Sequence, residues 1–413
     1  MPIDFNPHFI FNQNNNVQQK IVNRQSISAN GEGGDTFVKR VMQNVAPTPY
    51  DGIKITKKSF GKIEKTGDVA TLYTITNKNG ASVDLSTFGA TITAIKVPDK
   101  NGNLIDVTQG YDSVTPYEKS PVGHAGGTIG PYANKIMDGK FSLNGEEYLL
   151  ECNKDNGKTH SHGGSNGFDT KNWRAKVLKD GVEFSYTKKD MENGYPANVD
   201  VTVTYKFDNN NNLRILYGAK SDKDTILNLT NHSYFNLDGA ENTAENSVYE
   251  HIVTLPNSSK ITENSEIAVP TGKFLDVKGT AFDFSKPKKI GEVINSDEEQ
   301  IKIGTGFDQN YCVDNYDGKS LIEVADVKSE KTGIRLKVST NLPGFQFYTA
   351  NHLGKSAQPN GKHGSRYEKR SSFCVEPQFF PNAINTANFE EKGILKSEEE
   401  FSREIQYSFS TEK

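Results

Sequence analysis

From about residue 55 onward the chain is written in short runs of β-branched and aromatic residues, broken at close intervals by turn signals. Ala70-Thr-Leu-Tyr-Thr-Ile-Thr, Val182-Glu-Phe-Ser-Tyr, Val199-Asp-Val-Thr-Val-Thr-Tyr-Lys-Phe and Leu213-Arg-Ile-Leu-Tyr are examples. In the third, Val199, Val201, Val203 and Tyr205 fall on one face and Asp200, Thr202 and Thr204 on the other. That period of two marks a half-buried strand. Asn-Gly recurs at residues 79, 101, 144, 156, 166, 193 and 360, and the dipeptide suits the positive φ angles of tight hairpin turns. Val97-Pro-Asp-Lys-Asn-Gly-Asn-Leu-Ile-Asp-Val reads as one such hairpin. No helical stripe of about ten residues or more stands out, and Ser285 to Ile294 allows either a short helix or a loop. Many strands joined by short turns, without alternating helices, predict an all-β antiparallel sandwich or barrel and not a βαβ fold. No short internal repeat points to a propeller, and neither common Gly-rich phosphate loop occurs.

Residues 1–51 have another texture, rich in Asn, Gln, Ser and Gly with little apolar periodicity. Such a segment buries too little surface to offset its ordering entropy. It is expected to be a disordered extension, with a weak amphipathic stretch near Phe37 to Val45, leading through Ala46-Pro-Thr-Pro-Tyr into one domain over residues 52–413. The extension explains part of the low hydrophobic content, 34% of the 413 residues. A net charge of −4 with both signs dispersed offers no basic footprint for nucleic acid and no polybasic stretch for a membrane. A small, near-neutral substrate suits it better. The N-terminus has no basic n-region followed by a long apolar run, and no segment approaches the roughly 20 apolar residues that span a bilayer. Cys152, Cys312 and Cys374 lie far apart without CxxC or Cys/His spacing. Reduced thiols in a cytoplasmic protein are expected, with neither a disulfide framework nor a structural zinc.

Three places concentrate polar residues within apolar strand sequence. Thr159-His-Ser-His-Gly-Gly-Ser-Asn-Gly-Phe-Asp contains a His-x-His pair, a pattern found in metal sites, yet no third ligand is suggested nearby and no metal is expected. Gly163 and Gly164 instead suggest a turn where backbone closely approaches something, a sugar hydroxyl or simply solvent. Asn228-Leu-Thr-Asn-His-Ser-Tyr-Phe-Asn-Leu places His232 among amides, hydroxyls and rings. This setting suits either an imidazole that exchanges protons near neutral pH or a satisfied core histidine. In Ser372-Phe-Cys-Val-Glu-Pro-Gln-Phe-Phe-Pro-Asn-Ala-Ile-Asn, Glu376 is either a strand-edge carboxylate facing water or a buried one with its pKa raised to a useful general-base value. Together these places supply one acid, one base, a ring of amides and hydroxyls, and aromatic faces on which a sugar could stack.

Ordered blocks from about Phe60 to Ser410 resemble the aldose 1-epimerase, or galactose mutarotase, family. They are Phe88-Gly-Ala-Thr-Ile, Ile129-Gly-Pro-Tyr-Ala-Asn-Lys-Ile, Gly139-Lys-Phe-Ser-Leu-Asn-Gly, His162-Gly-Gly, Gly194-Tyr-Pro-Ala-Asn-Val-Asp-Val, Leu229-Thr-Asn-His-Ser-Tyr-Phe-Asn-Leu, Gly306-Phe-Asp, Gly344-Phe-Gln-Phe-Tyr-Thr and Val375-Glu-Pro-Gln-Phe-Phe-Pro-Asn-Ala-Ile-Asn. The resemblance implies a large antiparallel β-sandwich of the galactose mutarotase-like supersandwich type, with the sugar in an open cleft. It implies Glu376 as the base at the anomeric hydroxyl and His232 as the acid at the ring oxygen. Asn134, Lys135, His162, Asp308 and Gln346 fall where the family contacts the sugar. It implies no cofactor, and the partner expected is a small sugar bound by a monomer or weak dimer.

Three positions depart from the family pattern. Pro131 and Lys135 stand where arginines are usual, and lysine keeps the charge but loses the planar fork of donors. Gln309 stands where a histidine usually follows the Gly-Phe-Asp block. Two competing readings follow: a carbohydrate-binding protein on the same fold without turnover, and an epimerase of phosphorylated hexoses, which would want a cluster of arginines.

Overall fold

The alternation in Val199–Phe207 is realised as written. Val199, Val201, Val203 and Tyr205 are buried and Asp200 and Thr202 partly exposed, though Thr204 on the second face is buried as well. This strand lies inside a nine-stranded antiparallel sheet, between Gly181–Lys188 and Asn212–Ser221. The sheet continues through Phe401–Thr411, Ile334–Thr340 and Ile322–Lys328, so the C-terminal strand closes its centre. A five-stranded sheet precedes it in the chain, made of Lys54–Lys62, Val69–Thr76, Ser82–Ser86, Thr91–Pro98 and Leu104–Asp106. A second five-stranded sheet runs in the order Pro270–Asp276, Lys260–Asn264, Asp308–Cys312, Gly344–Tyr348, Cys374–Gln378.

One apolar core draws on all three sheets, with Ile75, Val83 and Ile92 from the first, Phe184, Val203 and Tyr407 from the largest, and Tyr311, Phe345 and Phe347 from the last. Burial of such faces is the main favourable term in folding. Polar ties cross the same core: Tyr205 Oη donates to the carbonyl of Ala90 at 2.6 Å. The architecture is the all-β sandwich expected. The computed structural model describes residues 48–120, 124–354 and 358–412, and Thr48–Lys413 cluster as one compact unit. Most of the expected N-terminal extension, residues 1–47, lies outside the described residues. Residues 48–51 form a turn on which Asn209 is fixed, its N–H donating to Pro49 O at 2.8 Å and its Nδ2 to Asp51 O at 2.9 Å.

The turns follow their residues in five of the seven Asn-Gly places, where Gly80, Gly102, Gly145, Gly157 and Gly194 have positive φ. Asn144 and Gly145, at φ 52° and 85°, make a two-residue turn between Lys140–Leu143 and Glu146–Leu149. The Val97–Val107 hairpin forms too, with Pro98 opposite Leu104. The Asp99 carboxylate accepts the N–H groups of Asn101 and Asn103, both at 2.8 Å. Gly167 and Gly361 differ, with φ of −62° and −74°. A Cβ on Gly361 would lie 2.3 Å from the Tyr367 ring, so packing, not turn geometry, selects that glycine. Within Ser285 to Ile294 the chain makes the short strand Lys288–Lys289 and the one-turn helix Ile290–Val293.

The second five-stranded sheet is the element that positions chemistry. In its register Asn310 faces Gln346 and Gln346 faces Glu376, while Asp308 pairs with Tyr348 and Tyr348 with Cys374. Because side chains alternate across a strand, the intervening Tyr311, Phe345, Phe347 and Val375 turn to the opposite face and enter the core. Phe345→Ala is therefore expected to lower the unfolding free energy by about 3–5 kcal/mol, measured by urea denaturation. A loss under about 1 kcal/mol would show that this face does not anchor the strand.

Candidate active site

Glu376 stands at the centre of the polar face, 2% exposed. Its neighbours on that face bond to one another. Gln346 Nε2 donates to Asp308 Oδ1 at 2.6 Å, and Gln378 Nε2 to Asn310 Oδ1 at 3.2 Å and Gln346 Oε1 at 3.3 Å. These amides and the carboxylate of Asp308 are thereby locked. Glu376 Oε2 has no hydrogen-bond partner, an unusual state for a buried carboxylate oxygen.

His232 Nε2 lies 3.5 Å from that oxygen. His232 follows the two-residue strand Thr230–Asn231, which pairs with Thr128–Ile129. Its backbone is held at both ends: its N–H donates to Gly127 O at 3.1 Å, and its carbonyl accepts from Gly126 N at 2.8 Å. Asn231 Nδ2 adds a bond to Gly126 O at 2.8 Å. The imidazole stacks on Tyr234, ring centres 4.9 Å apart and planes 17° apart, and its Nδ1 lies 3.6 Å from Cys374 Sγ. Packing of this kind leaves the ring one orientation, with Nε2 toward the carboxylate.

The facing wall comes from the Lys135–Met137 and Thr159–Ser161 pair, in which Ser161 opposes Lys135. The Asn134 N–H donates to His162 Nδ1 at 3.3 Å. Lys135 Nζ is held by Asp155 Oδ2 at 2.8 Å and Ile267 O at 2.7 Å. The His-x-His pair is split. His160 is buried with Nδ1 2.7 Å from Glu151 O and Nε2 2.6 Å from Tyr195 Oη, whereas His162, at φ 53°, turns out of the strand into the cleft. Gly163 and Gly164 do not line that cleft. A Cβ on Gly163 would sit 2.0 Å from Gly130 O and one on Gly164 3.0 Å from Glu151 Oε2, so what the glycines approach closely is the protein itself.

All seven residues singled out from the sequence, Asn134, Lys135, His162, His232, Asp308, Gln346 and Glu376, line one cleft of about 420 Å³. The three departures separate physically. Lys135 lines the cleft; Pro131 is buried and does not line it. Gln309 lies on the core side of its strand, where Nε2 donates to Thr262 O at 2.8 Å and Gln300 Oε1 at 2.9 Å. Sequence reasoning missed Tyr234, Tyr348 and His124, which also line the cleft. Tyr234 and Tyr348 lie two residues beyond His232 and Gln346, so the strand period could have found them; His124 carried no comparable signal.

Burial dominates the electrostatics. It pushes the Glu376 carboxyl well above the usual carboxylate range, and the charge of Asp308 adds to the rise. Burial also raises Asp308. It lowers His162 and takes His232 down to about 3, with His124 a smaller contributor to both. Glu376 and His232 are each drawn toward their uncharged forms. Carboxylate with imidazolium, and carboxylic acid with imidazole, hold the same single proton. The pair can thus take a proton at one point and release one a few ångströms away without changing its net charge. His232, Cys374 and Glu376 also bring one possible metal-ligand atom each within 4.8 Å of one another.

The family model for aldose 1-epimerase matches residues 71–408. The chain is 36% identical to a galactose mutarotase of Bos taurus over 359 residues, covering 87% of this chain and 99% of the bovine one. Among solved structures, an aldose epimerase homologue from C. elegans superposes with a TM-score of 0.72 at 30% identity, covering 82% of this chain and 98% of that one. A galactose 1-epimerase from Lactobacillus acidophilus gives 0.74 at 27% identity, covering 88% and 100%.

The raised Glu376 carboxyl has a consequence for stability. The folded protein holds this proton more tightly than the unfolded chain does. Its contribution is therefore complete below the unfolded value of about 4.3 and is lost as pH rises through the elevated folded value. Glu376→Gln cannot ionise and avoids that loss. The variant is expected to melt above the wild type at neutral pH, by roughly 1–2 °C or more, with the gap widening toward alkaline pH. Calorimetric Tm values across the pH range test this; a gap that narrows as pH rises would refute it.

Proposed function

This chain belongs to the aldose 1-epimerase family and is an aldose 1-epimerase, a carbohydrate isomerase; on that premise we propose that Glu376 is its base and His232 its acid. The observation that carries the assignment is the 3.5 Å approach of His232 Nε2 to the unpartnered Glu376 Oε2 in a polar cleft. In a cyclic hexose the anomeric hydroxyl and the ring oxygen share one carbon, so a base and an acid this close can address both.

Glu376 carboxylate removes the proton of the anomeric hydroxyl while His232 imidazolium protonates the ring oxygen. The C1–O5 bond breaks, C1 becomes an aldehyde, and the pair is left as carboxylic acid and imidazole. Rotation about C1–C2 presents the other face of the aldehyde. The ring hydroxyl then attacks it, returning its proton to His232, as Glu376 returns the first proton to O1. Burial favours the uncharged pair, which is the state it holds while the ring is open. The site therefore lowers the free energy of the charge-free intermediate relative to water.

Asn134, Lys135, His162, Asp308 and Gln346 are assigned to the sugar hydroxyls and ring. As a carboxylate Asp308 only accepts, and Lys135 only donates. Lys135 and Lys154 are the cleft's lysines, set against Asp155, Glu266, Asp308 and Glu376, and no arginine is among the described lining residues. That balance supports a neutral sugar such as galactose or glucose over a phosphorylated one. Among the described residues no helix is long and apolar enough to cross a membrane. The cysteines are unpaired, which supports our placing the protein in the cytoplasm; we take it to be a monomer or weak dimer whose partner is a small sugar.

Polarimetry on freshly dissolved α-D-galactose and α-D-glucose is the test. Wild type is expected to speed mutarotation of the free sugars more than that of hexose 6-phosphates. Glu376→Gln and His232→Asn are each expected to lose about 10²–10⁴-fold in kcat. Variants that retain wild-type kcat would remove these residues from the roles given to them.

A further inference from the structure

Four histidines line the cleft and three of their imidazoles, His124, His162 and His232, meet there, of which the acid–base step employs one. The ring of His124 lies 4.8 Å from that of His162 and 5.9 Å from that of His232, nearly parallel to the latter at 20°. His124 lines the cleft and also a side pocket of about 230 Å³ that opens beyond it. Its Nδ1 is 2.7 Å from Asp169 Oδ2. A carboxylate only accepts hydrogen bonds, so Nδ1 is the donor, and Nε2 is the ring nitrogen left for a ligand.

Asp169 is well placed to fix that orientation. Its side chain is 8% exposed, and its Oδ1 has no hydrogen-bond partner. It sits in the one-turn helix Phe168–Thr170, and a Cβ on Gly127 would come within 2.9 Å of its own Cβ. A buried carboxylate held against the backbone is spent on aiming one imidazole. The same second-neighbour arrangement orients histidines wherever the free nitrogen has work to do.

We propose that His124 is a further sugar-contacting residue, aimed by Asp169, whose Nε2 accepts a hydrogen bond from one hydroxyl remote from the anomeric carbon and so helps to decide which hexose is preferred. The proposal rests on the mutarotase reading of the cleft. Glu376 and His232 engage the two oxygens on C1, and the His124 ring, its centre 5.9 Å from that of His232, lines the same cleft apart from that pair. An acceptor there rewards a sugar whose hydroxyl points to it and leaves Nε2 unpaired against an epimer whose hydroxyl does not.

The test compares wild type, His124→Phe and Asp169→Asn on galactose and on its 2-, 3-, 4- and 6-deoxy derivatives. Mutarotation gives KM and kcat, and calorimetry gives Kd for the same sugars. His124→Phe is expected to raise KM and Kd for galactose by about tenfold, with kcat falling less than KM rises. The penalty should vanish for one deoxy sugar, which lacks the contacted hydroxyl. Asp169→Asn, whose amide oxygen still accepts from Nδ1, should lie between wild type and His124→Phe. An equal penalty on every sugar would overturn the contact in favour of a purely structural role, and so would no penalty on any. If wild type binds galactose without speeding its mutarotation, the reading of the cleft fails, and the Kd series alone still decides the His124 contact.

Discussion

Three short antiparallel strands, Asp308–Cys312, Gly344–Tyr348 and Cys374–Gln378, hold Asn310, Gln346 and Glu376 side by side in one register. The residues between them in the chain, Tyr311, Phe345, Phe347 and Val375, point the other way into the main core. A slip of one residue would exchange the two sets, burying carboxylate and amide in hydrocarbon and exposing the aromatics. Hydrophobic burial on one face thus enforces the alignment of polar groups on the other. The rest of the site is built against that platform.

The platform sets a tension that the fold does not relieve. A carboxylate buried with an unpartnered oxygen is held away from water at a cost, and the same burial depresses the neighbouring imidazole. An arrangement selected for stability alone would pair these groups with fixed donors, as Gln346 is paired with Asp308. Glu376 and His232 instead have each other at 3.5 Å and an open cleft. Stabilisation elsewhere, in the sheet core and in the backbone bonds of Gly126 and Gly127 to His232, keeps the strained pair in place.

Polar residues around the cleft divide by the same logic. His160 and Gln309 are fully bonded within the protein and turned from the cleft, whereas His162 and Gln346 keep a side toward it. Lys135, at a position where arginine is usual, is tethered by Asp155 and the carbonyl of Ile267. A single Nζ already holding two acceptors has fewer protons for a ligand than a guanidinium would.

Much of this was legible in one dimension. The period of two in Val199–Phe207 and the Asn-Gly turns determined an antiparallel all-β fold, because alternation and positive φ are local properties of the chain. The ordered motif blocks picked out His232, Glu376 and the five residues expected around them. What the chain by itself could not express was which polar side chain faces which neighbour. His160 and His162 stand two apart and look equivalent as letters, yet a positive φ at His162 sends them to different places. His124 and Asp169 are 45 residues apart and meet at 2.7 Å. Gly163 serves a carbonyl of its own protein. Local sequence determines secondary structure and burial pattern, since these depend on near neighbours. Contacts between distant segments, and the pKa shifts that follow from shared burial, exist only once the three sheets have packed.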